Sequence, residues 1–354
     1  MSNNERGYSM FKGFRHRISA TQILLWCLFT LLLLLGFSEA NSISQFSGAS
    51  MRFNNPITGQ AAHRARQYSA ANPETFWPTF WHQNTASFSV GVRNANANAI
   101  SFSGDASLVW PMEFVAGSAP SAIDGFGIVI SETLAHRLFG STNIVGLTIY
   151  VNNEPRTIRG VFQGNMYLAL LSYHIEDVSQ SWTAVELSGG PTHPTRQHAE
   201  SFAIAAGLGR PNYIIMSGAN SLARLMSILP LIIPAIYALV LIVFFVRRYY
   251  HIAAAPLFFT GLVIFAILLP VLLNTLPPWV IPTRWSDFSH WSSLIQQVRD
   301  ALYEFLSIYP TLRDIELRMH LLRQTIIMIF AVCCGIVICT RDNMNKPIYR
   351  RPYE

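Results

Sequence analysis

At 354 residues, with 51% hydrophobic and 12% charged side chains, the chain is too apolar for an ordinary soluble domain, where charged residues make up about 25%. Its net charge of +6 sits in clusters beside apolar runs, which excludes a nucleic-acid footprint as its cause and points to membrane topology. All four cysteines, Cys27, Cys333, Cys334 and Cys339, fall inside apolar runs, which excludes a disulfide framework for the remainder.

Residues 1–20 are basic, with Arg6, Lys12, Arg15 and Arg17, and are predicted to be a cytoplasmic segment. The run Ile23 to Phe37 carries no charge and predicts a first transmembrane helix over 21–37. A cleaved signal peptide is the rival reading, because Ser38-Glu39-Ala40 has the small-x-small pattern of a cleavage site.

Residues 38–222 form the predicted extracytoplasmic domain. Its opening, Asn41 to about Ala99, is rich in Asn, Ala and Ser and reads as helix or loop, with Phe76, Trp77, Phe80 and Trp81 as core anchors. The clearest local pattern follows: a short strand at Gly127, a helix capped by Ser131 and favoured by Glu132, and a stop at Gly140. Leu147 to Val151 and Thr157 to Phe162 then alternate as a hairpin around Asn152-Asn153-Glu154-Pro155. A strand at Thr183 to Leu187 and a helix from about Ala199 to Leu208 complete an α+β domain.

Three further apolar runs predict transmembrane helices over 223–246, 256–276 and 324–340; Pro230 and Pro234 are expected to kink the first of these. The short loop 247–255, with Arg247, Arg248, Tyr249 and Tyr250, and the tail 341–354, with Arg341, Lys346, Arg350 and Arg351, are placed in the cytoplasm. Between the last two spans, residues 277–323 form extracytoplasmic amphipathic helices. Trp291, Leu294, Ile295, Val298, Leu302, Phe305 and Leu306 recur there at helical spacing, as a stripe that docks on the outer domain rather than lying along the membrane surface. The fold class is thus a membrane α-helical bundle of four transmembrane helices, with an α+β extracytoplasmic domain inserted between the first two.

The run Ile130 to Gly140, the step Ile144-Val145-Gly146 and the step Ile158-Arg159-Gly160-Val161-Phe162 resemble the periplasmic core domain of MacB-like ABC permeases. The topology is similar to that of MacB-like and FtsX-like permeases, which carry one large outer domain between the first helix and a group of three. The resemblance implies that Ser131, Glu132, Leu134, Ala135, Leu138, Phe139, Gly140, Val145, Gly146, Gly160 and Val161 build the outer scaffold. It also implies an ABC ATPase on a separate subunit, a second permease subunit (the same chain or a homologue), and a bacterial cytoplasmic membrane with both termini inside. Such permeases carry a coupling segment between the second and third helices; Arg247 to Ala255 is short for one. Candidate ATPase contacts are therefore Arg15, Arg17, Arg247, Arg248, Tyr249 and Tyr250.

The two lysines, Lys12 and Lys346, lie in no phosphate-cradling Gly-x-x-x-x-Gly-Lys loop, so ATP is expected on a partner and no cofactor on this chain. His193 and His198 with Glu200 lack metal-ligand spacing, and Ser131 has a helix cap as its simpler role, so neither a metal nor a catalytic site is predicted. Membrane lipid is an expected partner and nucleic acid is not. The expected function is that of a permease subunit passing conformational change from an ATPase to the outer domain, in export, extraction or mechanotransmission. The alternative is a membrane-anchored scaffold or receptor of permease-like architecture that does not couple to ATP.

Overall fold

The computed structural model describes residues 20–46, 48–191, 195–215, 218–248 and 288–344, with Phe259, Val263 and Ala266. In chain order the elements are α1 (Ala20–Ser44), β1 (Ala49–Thr58), α2 (Gly59–Ala71), β2 (Phe76–Val90), β3 (Arg93–Ser103), α3 (Ala106–Val109), β4 (Phe114–Gly117), β5 (Gly127–Ser131), α4 (Glu132–Phe139), β6 (Thr148–Val151), β7 (Glu154–Phe162), β8 (Leu168–Ser172), β9 (Ser181–Gly189), α5 (Arg196–Ala205), β10 (Tyr213–Ile215), α6 (Gly218–Arg248), α7 (Phe288–Ser307) and α8 (Leu312–Met344). They fall into two compact units, described separately below: one within 1–40, 223–277 and 321–354, the other within 41–222 and 278–320.

The larger unit is α+β. Strands run in the order β10-β1-β9-β2, every neighbour antiparallel. With α2 joining β1 to β2 and α5 joining β9 to β10, this is a ferredoxin-like pair of interleaved βαβ units. Both helices cover one face, where Ala62, Ala65, Phe202 and Ala203 pack on Met51, Phe80 and Val185.

The chain between β2 and β9 builds a second body. β2 pairs with β3, β3 with β8, β8 with β5, β5 with β7, β7 with β6, and β6 returns to β2 at Phe88 and Ser89. Six strands therefore close a ring, which leaves no free edge within it. Phe88, Ile130, Ile149 and Ile158 pack together inside with Leu134, Ala135 and Leu138 of α4.

The MacB-like run folds locally as its residues dictate. Ser131 Oγ accepts from Leu134 N at 3.3 Å and donates to Met166 O at 2.7 Å, so one hydroxyl starts α4 and ties it to the segment before β8. Gly140 ends α4 in the left-handed conformation (φ 78°) that a side chain would resist. The hairpin turn is tighter than expected: Asn152 and Asn153 (φ 48° and 73°) form it alone, a two-residue turn whose twist matches the strands, so Glu154 begins β7 and Pro155 already lies within it. Ser131→Ala is expected to cost the domain about 1–2 kcal/mol by removing the cap and orphaning a carbonyl, read as a lowered denaturation midpoint.

One expectation fails at the start of the domain. Residues 49–103 are largely strand, not helix or loop; only α2 is helical. Phe76, Phe80 and Trp81 are buried as anticipated, whereas Trp77 is 41% exposed.

The other unit is helical. α1 and α8 pack through Phe29, Ala331, Cys334 and Ile338. Gly36 allows the close approach, since a Cβ there would lie 1.5 Å from Met328 Cε. Gln324 of α8 is buried and donates through Nε2 to Ala223 O (2.7 Å) and Ser227 Oγ (3.0 Å) of α6. Two helices among the described residues are long and apolar enough to cross a membrane, Ala20–Ser44 and Leu312–Arg341. The second predicted span falls within α6, which runs through Pro230 and Pro234. The third, 256–276, lies outside the described residues apart from Phe259, Val263 and Ala266.

Candidate functional site: a buried charge clasp

The face of the ferredoxin-like sheet opposite α2 and α5 is polar, because the strand period of two turns alternate residues there. Ser50 and Arg52 of β1, Thr79 and Trp81 of β2, and Ala184 and Glu186 of β9 share it; in register, Glu186 lies between Ser50 and Thr79, and Ala184 between Arg52 and Trp81. The small Ala184 side chain lets the Arg52 guanidinium settle 4.7 Å from the Trp81 ring centroid.

Arg313 and Asp314, in the first turn of α8, complete this layer. Arg52 Nη1 lies 3.2 Å from Glu186 Oε1, and Nη2 lies 3.2 Å from Asp314 Oδ1. Arg313 Nη2 lies 3.3 Å from Glu186 Oε2. Glu186 Oε1 also accepts from Ser50 Oγ (2.6 Å) and Trp81 Nε1 (3.0 Å), and Arg52 reaches Ser50 as well. All four charged residues are buried, Glu186 and Asp314 at 1% exposure. Two cations meet two anions, so no net charge is left in the layer; removing one member would strand the rest.

The start of α8 is fixed independently. Thr311 Oγ1 and N both reach Asp314 Oδ2 (2.7 and 3.1 Å) and Asp314 N reaches Thr311 Oγ1, a reciprocal cap. Leu312 N donates to Gln83 Oε1 at 2.8 Å, and Leu312 packs on the cluster around Trp81, Phe102 and Phe162. One turn further on, Arg318 donates to Phe305 O and Ile308 O, holding the end of α7. α8 is then a single helix from this layer through Gln324 and the apolar run to Met344.

The start of α8 is thus seated on the sheet; of the α7 stripe expected to dock, Trp291, Ile295, Leu302 and Leu306 are exposed, and Leu294, Val298 and Phe305 are half-buried. Buried ion pairs and a capped helix start specify one seat for α8.

Of the residues singled out from sequence, Arg15, Arg17, Tyr249 and Tyr250 lie outside the described residues, and Arg247 and Arg248 are the last residues of α6. Leu134, Ala135, Leu138 and Val161 are buried; Val145 is exposed at 45%; Gly160 lies where a Cβ would meet Ser118 O at 2.8 Å. Gly146 takes a positive φ of 87°, Phe139 packs on the ring's core, and Glu132 lies 3.7 Å from His136. His198 caps α5 with Thr195, while His193 is outside the described residues. Among the described residues no His, Cys, Asp or Glu cluster could hold a metal ion. The clasp escaped sequence reasoning. Its signal was present as isolated charges in apolar strands, Arg52 between Met51 and Phe53 and Glu186 between Val185 and Leu187.

His82, beside the Trp182 ring at 5.5 Å, has its pKa pushed below the usual value of 6.5 by burial. The unfolded chain therefore takes up this proton first, so the stability His82 contributes is present above the unfolded pKa and falls as pH drops below about 6.5. His82→Gln is expected to flatten that part of a melting-temperature profile against pH.

No protein-family profile and no curated protein matches this sequence. Among solved structures, the chain is similar to the extracellular domain of the noncanonic ABC-type transporter YknZ from Gram-positive bacteria, at 10% identity, 45% of this chain, 92% of that one and a TM-score of 0.38. It is similar to the periplasmic region of MacB from Actinobacillus actinomycetemcomitans, at 13% identity, 49% and 92% coverage and a TM-score of 0.40. A domain of a putative permease protein from Porphyromonas gingivalis matches at 13% identity, 46% and 83% coverage and a TM-score of 0.35.

Proposed function

We propose that the chain is a permease-type membrane subunit that passes conformational change between the bilayer and its outer domain, driven by ATP hydrolysis on a separate ABC ATPase. The observation that carries this reading is the clasp: one continuous helix has buried ion pairs to the outer sheet at its start and the apolar run Gln324 to Cys339 further along. A helix transmits rotation and translation along its length, and a seat held by ion pairs moves with it. The MacB-like pattern of Ile130 to Phe162 supports the same reading. On it the chain is a multi-pass protein of the bacterial cytoplasmic membrane with both termini inside, acting with a second permease subunit and contacting lipid.

The short link Arg247 to Ala255 favours a second reading, a membrane-anchored scaffold or receptor that has no ATP coupling. Purification in mild detergent, followed by hydrogen–deuterium exchange with and without ATP, separates the two. The permease reading expects a copurifying ATPase and an ATP-dependent change in protection at β1, β9 and the first turns of α8. An intact complex whose exchange ignores ATP establishes the scaffold instead.

A further inference from the structure

The interior of the six-stranded ring changes character along its length. Around α4 it is filled by Ile130, Leu134 and Leu138. At the other mouth the inward residues Ala86, Ala99 and Ser101 are small, and a cavity of about 160 Å³ is left, walled also by Asn84, Gln180 and Tyr173.

Arg156 lies in that wall and is buried at 4% exposure. Its Nη1 donates to Gly125 O (2.9 Å) and Ser172 O (2.7 Å), and the guanidinium lies 4.5 Å from the Tyr173 ring centroid. Its acidic neighbour is Glu154 on the rim, 75% exposed and 4.0 Å from Nη2. In the clasp, by contrast, each arginine meets a buried carboxylate at 3.2 or 3.3 Å. A desolvated cation held by carbonyls and a ring, with a distant, solvated counter-charge, is costly unless an anion enters beside it.

We propose that this mouth binds a small zwitterion of the size and chemistry of a free α-amino acid, its carboxylate on Arg156 and its ammonium on Glu154. With both hydrogens of Nη1 given to carbonyls, Nη2 is the terminal nitrogen left to donate to a carboxylate, and Tyr173 fixes the guanidinium plane. The Glu154 backbone is held where the Asn152-Asn153 turn is braced on Ser87 (Asn152 N to Ser87 O 2.9 Å, Ser87 N to Asn152 Oδ1 3.0 Å), while its exposed side chain is free to turn toward a ligand ammonium. Asn84 and Gln180 supply neutral donors and acceptors, and small polar-and-apolar sites of this kind form at barrel mouths. This inference is independent of the permease reading.

Titration calorimetry on the full chain in detergent tests it with four probes: L-serine, lactate (no ammonium), ethanolamine (no carboxylate) and inorganic phosphate. Serine is expected to bind, lactate at least about tenfold more weakly, and the other two to give no heat. Glu154→Gln, at an exposed position, should reduce serine to the affinity of lactate, and Arg156→Gln should abolish both. If Arg156→Gln does not fold, Ala99→Leu, which fills the cavity from an apolar wall position, should abolish binding in its place. No heat from serine at millimolar concentration, phosphate binding as tightly as serine, equal affinities for serine and lactate, or unchanged serine affinity in Glu154→Gln would each overturn the proposal.

Discussion

Replacing Glu186 by glutamine is expected to lower the stability of the outer domain by about 3–5 kcal/mol, the usual cost of removing one partner from a buried ion pair. The side chains are nearly isosteric, and the amide oxygen can still accept from Ser50 and Trp81. The loss is therefore electrostatic: Arg52 and Arg313 face each other across a site at 1% exposure with Asp314 as the remaining anion. Arg52→Met combined with Glu186→Gln removes one charge of each sign, leaves Arg313 with Asp314, and should recover at least about 1 kcal/mol relative to the single variant. Pulse proteolysis of the full chain across a denaturant series measures both. A single-variant loss under about 1 kcal/mol would place the clasp with exposed ion pairs, which contribute little, and would remove its claim to hold α8 in one seat.

How much of this was legible in sequence depended on which interactions were local. Ser131, Gly140 and the Asn152-Asn153 turn act on their own neighbours, so the strand, helix and hairpin from Gly127 to Phe162 could be read directly. The strand β3 is not legible because its alternating residues are small: Asn94, Asn96 and Asn98 alternate with Ala95, Ala97 and Ala99. That is the period of a half-buried strand, but alanine carries too little apolar contrast to mark it. The clasp joins residues 134 positions apart for Arg52 and Glu186 and 262 apart for Arg52 and Asp314. Nothing in the local pattern of Leu312 to Leu317 identifies its partners; only the closure of β1 beside β9 does. The α7 stripe is the converse case: its apolar periodicity is legible in sequence, but which of its members are covered is not.

Met319→Pro is expected to separate stability from transmission. Position 319 follows Arg313 and Asp314 by more than one turn, precedes Gln324, and is 41% exposed, so the substitution leaves the ion pairs and the reciprocal Thr311–Asp314 cap untouched. Proline there removes the bond to the carbonyl of Ile315 and clashes with it, a helix-interior cost of about 3 kcal/mol relieved by bending. The outer domain should keep its denaturation midpoint, since its sheet and ring do not depend on the helix beyond that point. Motion of the apolar run would then be absorbed at the bend. In the purified complex, ATP hydrolysis should continue while the ATP-dependent change in exchange at β1 and β9 disappears; Met319→Ala, which keeps the helix, should retain it. An undiminished response in Met319→Pro would mean that force reaches the sheet by some route other than α8, and the permease reading would lose the observation on which it rests.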